Sequence, residues 1–361
     1  MTRPIGYYVH HHGDGHRQRA IQIASQAPDR FVLLGTGLEG RAAGLVVVDL
    51  PDDRPDGVAA FDGRDAAAAR PDALHYAPVD HEGVRQRVAC VAEWIATLRP
   101  ALMVVDVSVE IAMLARLAAT PTVYMRLNGR RDDTAHLDAF RGALALLCPF
   151  AEPLDAPETP AWVRRKTLYV PGLTGLASTQ AARGDVVLVV VGKGGDVGDG
   201  AQIAEAALAQ PDVRWRIAGP VSDIPNRPPN LTVLGWSENI SDEIAAAGVV
   251  VGGAGNGLVN AVLAAGRPFI CLPEPRPYEE QSSTATRLEA VGAAVVHPTW
   301  PTTAQWPDLL DRARQLPPTK RAGLFNPEGP QTAARHLIAL ADDPSGVRSP
   351  HASALIDEVS P

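Results

Sequence analysis

Short apolar runs alternate with longer stretches whose apolar residues recur at helical spacing, and the alternation runs twice along the chain. This pattern predicts repeated strand–helix–strand units and therefore parallel sheets in an α/β fold. In the first half, the runs at 5–9, 31–34, 45–48, 101–106 and 122–125 predict strands, with a weaker one at 143–148. Helical spacing is seen at 17–26, 84–98 and 109–118. The run 101–106 is almost unbroken, as a central parallel strand buried on both faces requires.

Between 149 and 184 the chain is crowded with Pro and Gly, with one short apolar run at 167–170, and then the alternation restarts. Strands are predicted at 185–191, 213–218, 231–234, 248–251, 268–272 and 293–296, and helices at 201–209, 257–265, 279–291, 304–315 and 331–341. A chain of 361 residues is too long for one ordinary core and suits two α/β domains. The division expected is a first domain at 1–170, a linker at 171–184, a second domain at 185–343 and a polar tail at 344–361. No period of 20–50 residues recurs, which argues against a solenoid.

Composition narrows the possibilities. With 46% hydrophobic and 20% charged residues the chain has the balance of a folded globular protein. A net charge of −8 argues against a general nucleic-acid binder, so an anionic ligand must be held locally. Cys90, Cys148 and Cys271 are far apart, lie in apolar stretches and form no CxxC pair, which suits buried thiols in a reducing compartment. No segment approaches the roughly 20 apolar residues of a membrane span, and the N-terminus lacks a signal-peptide core; a cytoplasmic location is expected. His10, His11 and His12 would point alternately to opposite faces if a strand continued through them, so no metal site is expected.

The segment 248–281 carries the strongest chemistry. A strand runs directly into Gly252, Gly253, Gly255 and Gly257 and then into a helix, so the backbone N–H groups at the helix start can face an anion such as a diphosphate. The same glycines would also suit a plain tight turn. After the next strand, Pro273, Pro275 and Pro277 stiffen a loop that delivers Glu279, Glu280 and Gln281 to a helix start, where polar acceptors suit sugar hydroxyls. In the first half, Gly13, Asp14, Gly15 and His16 form a short glycine loop at the carboxyl end of the first strand, where open α/β sheets bind ligands. Asp106 ends the most apolar strand, and is placed either to take a proton, to orient His16, or to cap the following helix. Glu110 reads as a first-turn helix acid, and Arg126, Arg130 and Arg131 as a basic loop open to an acidic acceptor or simply solvated.

Taken together, these features resemble the GT-B glycosyltransferases, in particular glycosyltransferase family 28, the group of the peptidoglycan N-acetylglucosaminyltransferase. The resemblance covers 234–296 well and the first glycine loop moderately. It implies two Rossmann-like domains facing across a cleft, an acceptor-binding one first and a donor-binding one second. The family's donor-sugar contacts match Glu280 and Gln281, its nucleobase contacts match Ser237 and Ile240, and its glycine turns match Gly192 with Lys193 and Gly253, Ala254, Gly255, Asn256 and Gly257. The family's ribose-gripping glutamate matches Ala261, with Asn260 beside it as a replacement contact.

Its loop histidine matches His16, with His12, Gly13, Asp14 and Gly15 lining the acceptor loop. The resemblance implies an inverting, metal-independent hexosyl transfer from a UDP- or dTDP-linked sugar to a hydroxyl acceptor. His16 or Asp106 would take the acceptor's proton, and no cofactor is implied beyond the nucleotide-sugar co-substrate. Two further readings keep the fold: a nucleotide-sugar hydrolase with water as acceptor, and a binding protein without catalysis, the latter suggested by Ala261. The acceptor and the oligomeric state are not legible in the sequence.

Overall fold

The computed structural model describes residues 2–11, 14–54, 71–173, 185–192, 199–224, 226–237 and 240–343. Two parallel sheets are formed. The first holds β1 (Ile5–Tyr8), β2 (Phe31–Gly35), β3 (Val47–Asp49), β4 (Leu102–Asp106), β5 (Thr122–Met125), β6 (Ala145–Cys148) and β7 (Thr167–Tyr169), in the order 3-2-1-4-5-6-7. The second holds β8 (Val186–Val190), β9 (Arg214–Ala218), β10 (Leu231–Gly235), β11 (Val249–Gly252), β12 (Phe269–Cys271) and β13 (Val295–Val296), in the order 10-9-8-11-12-13. Both orders reverse direction beside the first strand of the sheet, which opens a crevice at the carboxyl ends there.

As expected for central strands, β4 and β11 are buried along their whole lengths. Helix α1 (Asp14–Ala24) follows β1, α2 (Glu82–Leu98) precedes β4, α3 (Val109–Leu117) and α4 (Thr134–Gly142) follow β4 and β5, and the short α5 (Ala161–Lys166) precedes β7. Gly6 on β1 lets α2 lie close, since a Cβ there would fall 2.3 Å from the Met103 sulfur and 2.8 Å from the Trp94 ring. The apolar run at 167–170, set in the Pro- and Gly-rich stretch at the end of the expected first domain, supplies the edge strand β7. The second sheet is covered by α6 (Gly200–Leu208), α7 (Ile240–Ala246), α8 (Asn256–Ala265), α9 (Glu280–Ala290) and α10 (Trp306–Gln315), followed by the short α11 (Pro318–Ala322). Among the described residues no helix is long and apolar enough to cross a membrane.

The last helix, α12 (Gly329–Asp342), departs from the expected domain division. Ala333, Ala334, Leu337 and Leu340 are buried in one cluster with Ala20, Ile23 and Ala24 of α1 and with Leu102 and Val104 of β4. Arg30 holds Asp342 at 2.6 Å. By packing, α12 therefore belongs to the first sheet, although 185–343 was expected to form one second domain. Helical periodicity identifies an apolar face but carries no information on which sheet covers it.

The chain thus crosses between the domains twice, and the crossings touch. Gly172 adopts φ +93°, and a Cβ there would lie 1.9 Å from the Asn326 carbonyl oxygen. Gly329 comes equally close to the Pro171 carbonyl, with a Cβ at 2.1 Å. Most of the expected linker, 174–184, and the tail from 344 lie outside the described residues. Cys148, Phe150, Ala151 and Leu154 of the first domain share a core with Val250, Val262, Phe269 and Leu288 of the second, so one apolar core runs through the crossing.

Leu337 has no exposed surface. Leu337→Ala is expected to lower stability by about 2–5 kcal/mol through lost transfer energy and a residual cavity. Chemical denaturation measures this, and a loss below about 0.5 kcal/mol, typical of a surface site, would show that α12 is not docked on the first sheet.

Candidate active site

Strand β11 ends in the glycine turn and α8 starts at Asn256, with Gly255 as a cap that has no side chain to offer the first N–H groups. The glycines here serve two different ends. A Cβ at Gly252 would fall 2.4 Å from the Leu258 side chain, and one at Gly253 would fall 2.9 Å from Gln281 Oε1, so packing requires both to be bare. At Gly192 and Gly257 a Cβ would meet nothing within 4 Å. These two border a cavity of about 230 Å³ whose wall also includes Trp236, Ser237, Ile240, Leu258 and Ala261. Four of the expected donor residues, Gly192, Ser237, Ile240 and Gly257, thus meet around one hollow beside the start of α8. Lys193 lies outside the described residues.

Two other expected donor contacts are engaged elsewhere. Gln281 is 5% exposed, and its Oε1 accepts from the Ala254 N–H at 2.8 Å and the Glu274 N–H at 3.0 Å, while its Nε2 donates to Glu274 at 3.2 Å. It fastens the glycine turn to the Pro-rich loop. Asn260 is 3% exposed; its Nδ2 donates to the Pro149 carbonyl at 3.1 Å and the Asn256 carbonyl at 2.9 Å, and its Oδ1 accepts from the Gly172 N–H at 3.3 Å. It ties α8 to the domain crossing through both amide atoms. Ala261, the next residue, faces the cavity.

Glu280 does face the cleft. Its carboxylate accepts from Asn256 Nδ2 at 3.4 Å and from Arg131 of the first domain at 3.2 Å. Around this pair the two domains clasp: the Arg130 N–H donates to the Tyr278 carbonyl at 2.6 Å, Asn128 Nδ2 donates to Thr284 Oγ1 at 3.1 Å, and the Arg131 guanidinium lies 4.9 Å from the centre of the Tyr278 ring. Tyr278 and Glu279 both have left-handed backbone, φ 59° and 55°, a conformation non-glycine residues hold only when their surroundings fix it. The basic loop is therefore not merely solvated. Arg126 is also buried, in a bidentate pair with Asp155 at 2.9 and 2.7 Å.

Across the cleft, Asp14 and Gly15 open α1 and place His16 beside Asp106; His12 and Gly13 lie outside the described residues. His16 Nδ1 is 3.0 Å from Asp106 Oδ1. Arg19, one turn on, sets its Nη2 3.0 Å from both Asp106 oxygens and 2.9 Å from His16 Nδ1. Burial alone would raise the Asp106 carboxyl, but Arg19 first and then His16 outweigh it and hold it down at about 2. Asp106 and Arg19 both meet the His16 ring at Nδ1 and so fix its orientation through that nitrogen. Asp106 is fully buried and engaged on both oxygens by Arg19 and His16. The cap of α3 is Ser108, not Asp106. Burial works against the charge on Arg19, Asp106 works for it, and so does Glu280, which brings the two halves of the site into one electrostatic neighbourhood.

Several groups were not anticipated. β1 ends at Tyr8, and the His10 and His11 rings stack at 4.8 Å with a 17° tilt, so the histidine run does not alternate as a strand would. Glu110 accepts from the His75 and Tyr76 N–H groups at 2.6 and 2.8 Å, holding a loop as well as starting a helix. Asp133 takes His75 Nε2 at 2.8 Å and His136 Nδ1 at 2.6 Å, while His136 Nε2 meets Arg131 at 3.1 Å. These three side chains bring ligand atoms within 4.8 Å of one another, a donor set suited to a transition metal. Arg131, however, sets a positive charge against the same imidazole. The D-x-x-H spacing of Asp133 and His136 is the one signal in the sequence that marks this cluster.

Burial, and then Arg131, lower the His136 imidazole from 6.5 to about 4, so it is neutral in the clasp. As pH falls through 6.5 toward 4 the unfolded chain gains a proton that the folded chain refuses, and stability is lost over that window. The stability advantage of the native protein over His136→Gln at pH 7 is therefore expected to shrink toward pH 4. Melting temperatures across that range test this, and a constant gap would show that His136 is not held neutral.

Residues 219–307 match the glycosyltransferase family 28 C-terminal domain. No curated protein sequence matches the chain. Among solved structures, MurG of Acinetobacter baumannii is 18% identical with TM-score 0.60, over 95% of this chain and 99% of its own. A calicheamicin glycosyltransferase is 17% identical with TM-score 0.62 over 100% of both chains. A spinosyn rhamnosyltransferase complexed with thymidine diphosphate is 16% identical with TM-score 0.55, over 94% of this chain and 96% of its own. The chain is a two-domain α/β protein of the GT-B glycosyltransferase fold that resembles family 28, with residues 219–307 matching the model of that family's C-terminal domain.

Proposed function

We propose that the protein is an inverting glycosyltransferase that moves a sugar from a UDP- or dTDP-linked donor to a hydroxyl acceptor without a metal. Two observations support this reading: the His16–Asp106 pair at the carboxyl end of the first sheet, and the hollow at the start of α8 on the second. The donor's nucleoside enters the hollow, and its diphosphate lies at the helix start, where N–H groups and the helix dipole favour negative charge. Glu280, at the cleft edge, is the sugar contact.

His16 Nε2 takes the proton of the acceptor hydroxyl, and the oxygen attacks the anomeric carbon as its bond to the diphosphate breaks. Attack from the side opposite the leaving group inverts the anomeric centre. The leaving diphosphate takes the electron pair, and the α8 N-terminus stabilises the charge that develops on it. Asp106 stabilises the imidazolium formed at His16, and Arg19 keeps Asp106 ionised.

Replacing His16 by Ala is expected to cut transfer about 10²–10⁴-fold, the usual worth of a positioned general base, with nucleotide affinity unchanged. Steady-state transfer assays alongside nucleotide titration measure both quantities, and full activity in the variant removes His16 from the mechanism. Rapid sugar release from the donor alone would instead make water the acceptor.

A further inference from the structure

We propose that the donor site is built for a 2′-deoxynucleoside, so that the co-substrate is a 2′-deoxynucleoside diphosphate sugar rather than a ribonucleoside one. This rests on the donor-site reading above and narrows it.

The cavity wall carries the argument. With a diphosphate at the start of α8, the pentose reaches the next turn of that helix, because Ala261 lies five residues beyond Asn256, about 7.5 Å at 1.5 Å per residue. Gly257 and Ala261 are four residues apart and share one helix face, and both line the cavity. The pentose edge therefore meets a bare backbone and a methyl group. The opposite wall is Ile240 and Ile244 of α7.

Polar groups close to this wall are committed elsewhere. Asn260, next to Ala261, is 3% exposed and bonded to Pro149, Asn256 and Gly172. Glu243, on the same helix as Ile240 and Ile244, is paired with Arg216 at 2.5 Å. Among the described lining residues the polar side chains are Trp236 and Ser237, which sit in the loop before α7 rather than on α8.

A 2′-hydroxyl placed against Ala261 gives up water for a methyl group and meets no polar side chain of α8 among the described lining residues, and an unpaired hydroxyl is costly to bury. A 2′-hydrogen incurs no such penalty. A site of this kind discriminates against the hydroxyl by leaving it without a partner.

Isothermal titration of the full chain with UDP against dUDP, and GDP against dGDP, isolates this one hydroxyl whatever the base. The deoxy member of the pair that binds is expected to bind at least about threefold tighter. A ribonucleotide that binds equally well or better overturns the proposal while leaving the donor site in place. If none of the four binds a folded protein, the donor-site reading itself fails and this inference with it.

Ala261→Glu, which brings a carboxylate to the pentose edge, is expected to reverse the order, with the ribonucleotide gaining most. Should that variant not fold, Ala261→Ser adds a hydroxyl to the same wall with little change in volume and is expected to narrow the ratio. A folded variant with an unchanged ratio places the pentose elsewhere and overturns the proposal.

Discussion

The two halves of the site stand on separate sheets, so their geometry depends on what fixes one sheet against the other. That constraint is the contact of the two chain crossings, where Gly172 and Gly329 let backbone run against backbone with no room for a side chain. The Asn260 amide reaches this point from α8 and binds Pro149 and Gly172 on the first domain's side. The helix whose start faces the leaving group is thereby tied directly to the crossing. Any rotation of the donor domain carries α8 with it and must break these buried hydrogen bonds, and a buried group left unpaired costs about 1–3 kcal/mol. The apolar core shared by Phe150, Leu154, Val262 and Leu288 spreads the same restraint over a wider area.

At the other end of the cleft the domains meet through polar and aromatic groups instead. Arg131, Tyr278, His136 and Glu280 are long or planar side chains whose contacts can open and reform without exposing a core. The buried carboxylates follow a single rule. Asp106 is matched by Arg19, Asp155 by Arg126 and Asp53 by Arg87, each within 3.0 Å. Burying an isolated charge is prohibitive, whereas a paired one mainly fixes geometry.

Much of the architecture was legible because a parallel strand buried on both faces leaves an unbroken apolar run, as at 101–106 and 249–252. The glycine turn and the hollow beside it were legible for a related reason, since glycines between a strand and a helix have few alternatives. What escaped was orientation. Helical spacing marked the apolar face of α12 but not the sheet it covers. A polar residue at a helix start can turn toward a ligand or toward its own backbone, and Gln281 does the latter because two N–H groups of neighbouring turns, Ala254 and Glu274, converge on it. His75 and Asp133 stand 58 residues apart, and only the fold brings them together.

The bare positions of the chain fall into two kinds with different histories under mutation. At Gly6 and Gly172 a side chain would collide with the protein itself, so selection for a soluble, folded chain is enough to keep them. At Gly192 and Gly257 a methyl group would meet nothing, and folding places no demand on them. A side chain at either of these two open glycines would therefore narrow the hollow while leaving the fold undisturbed.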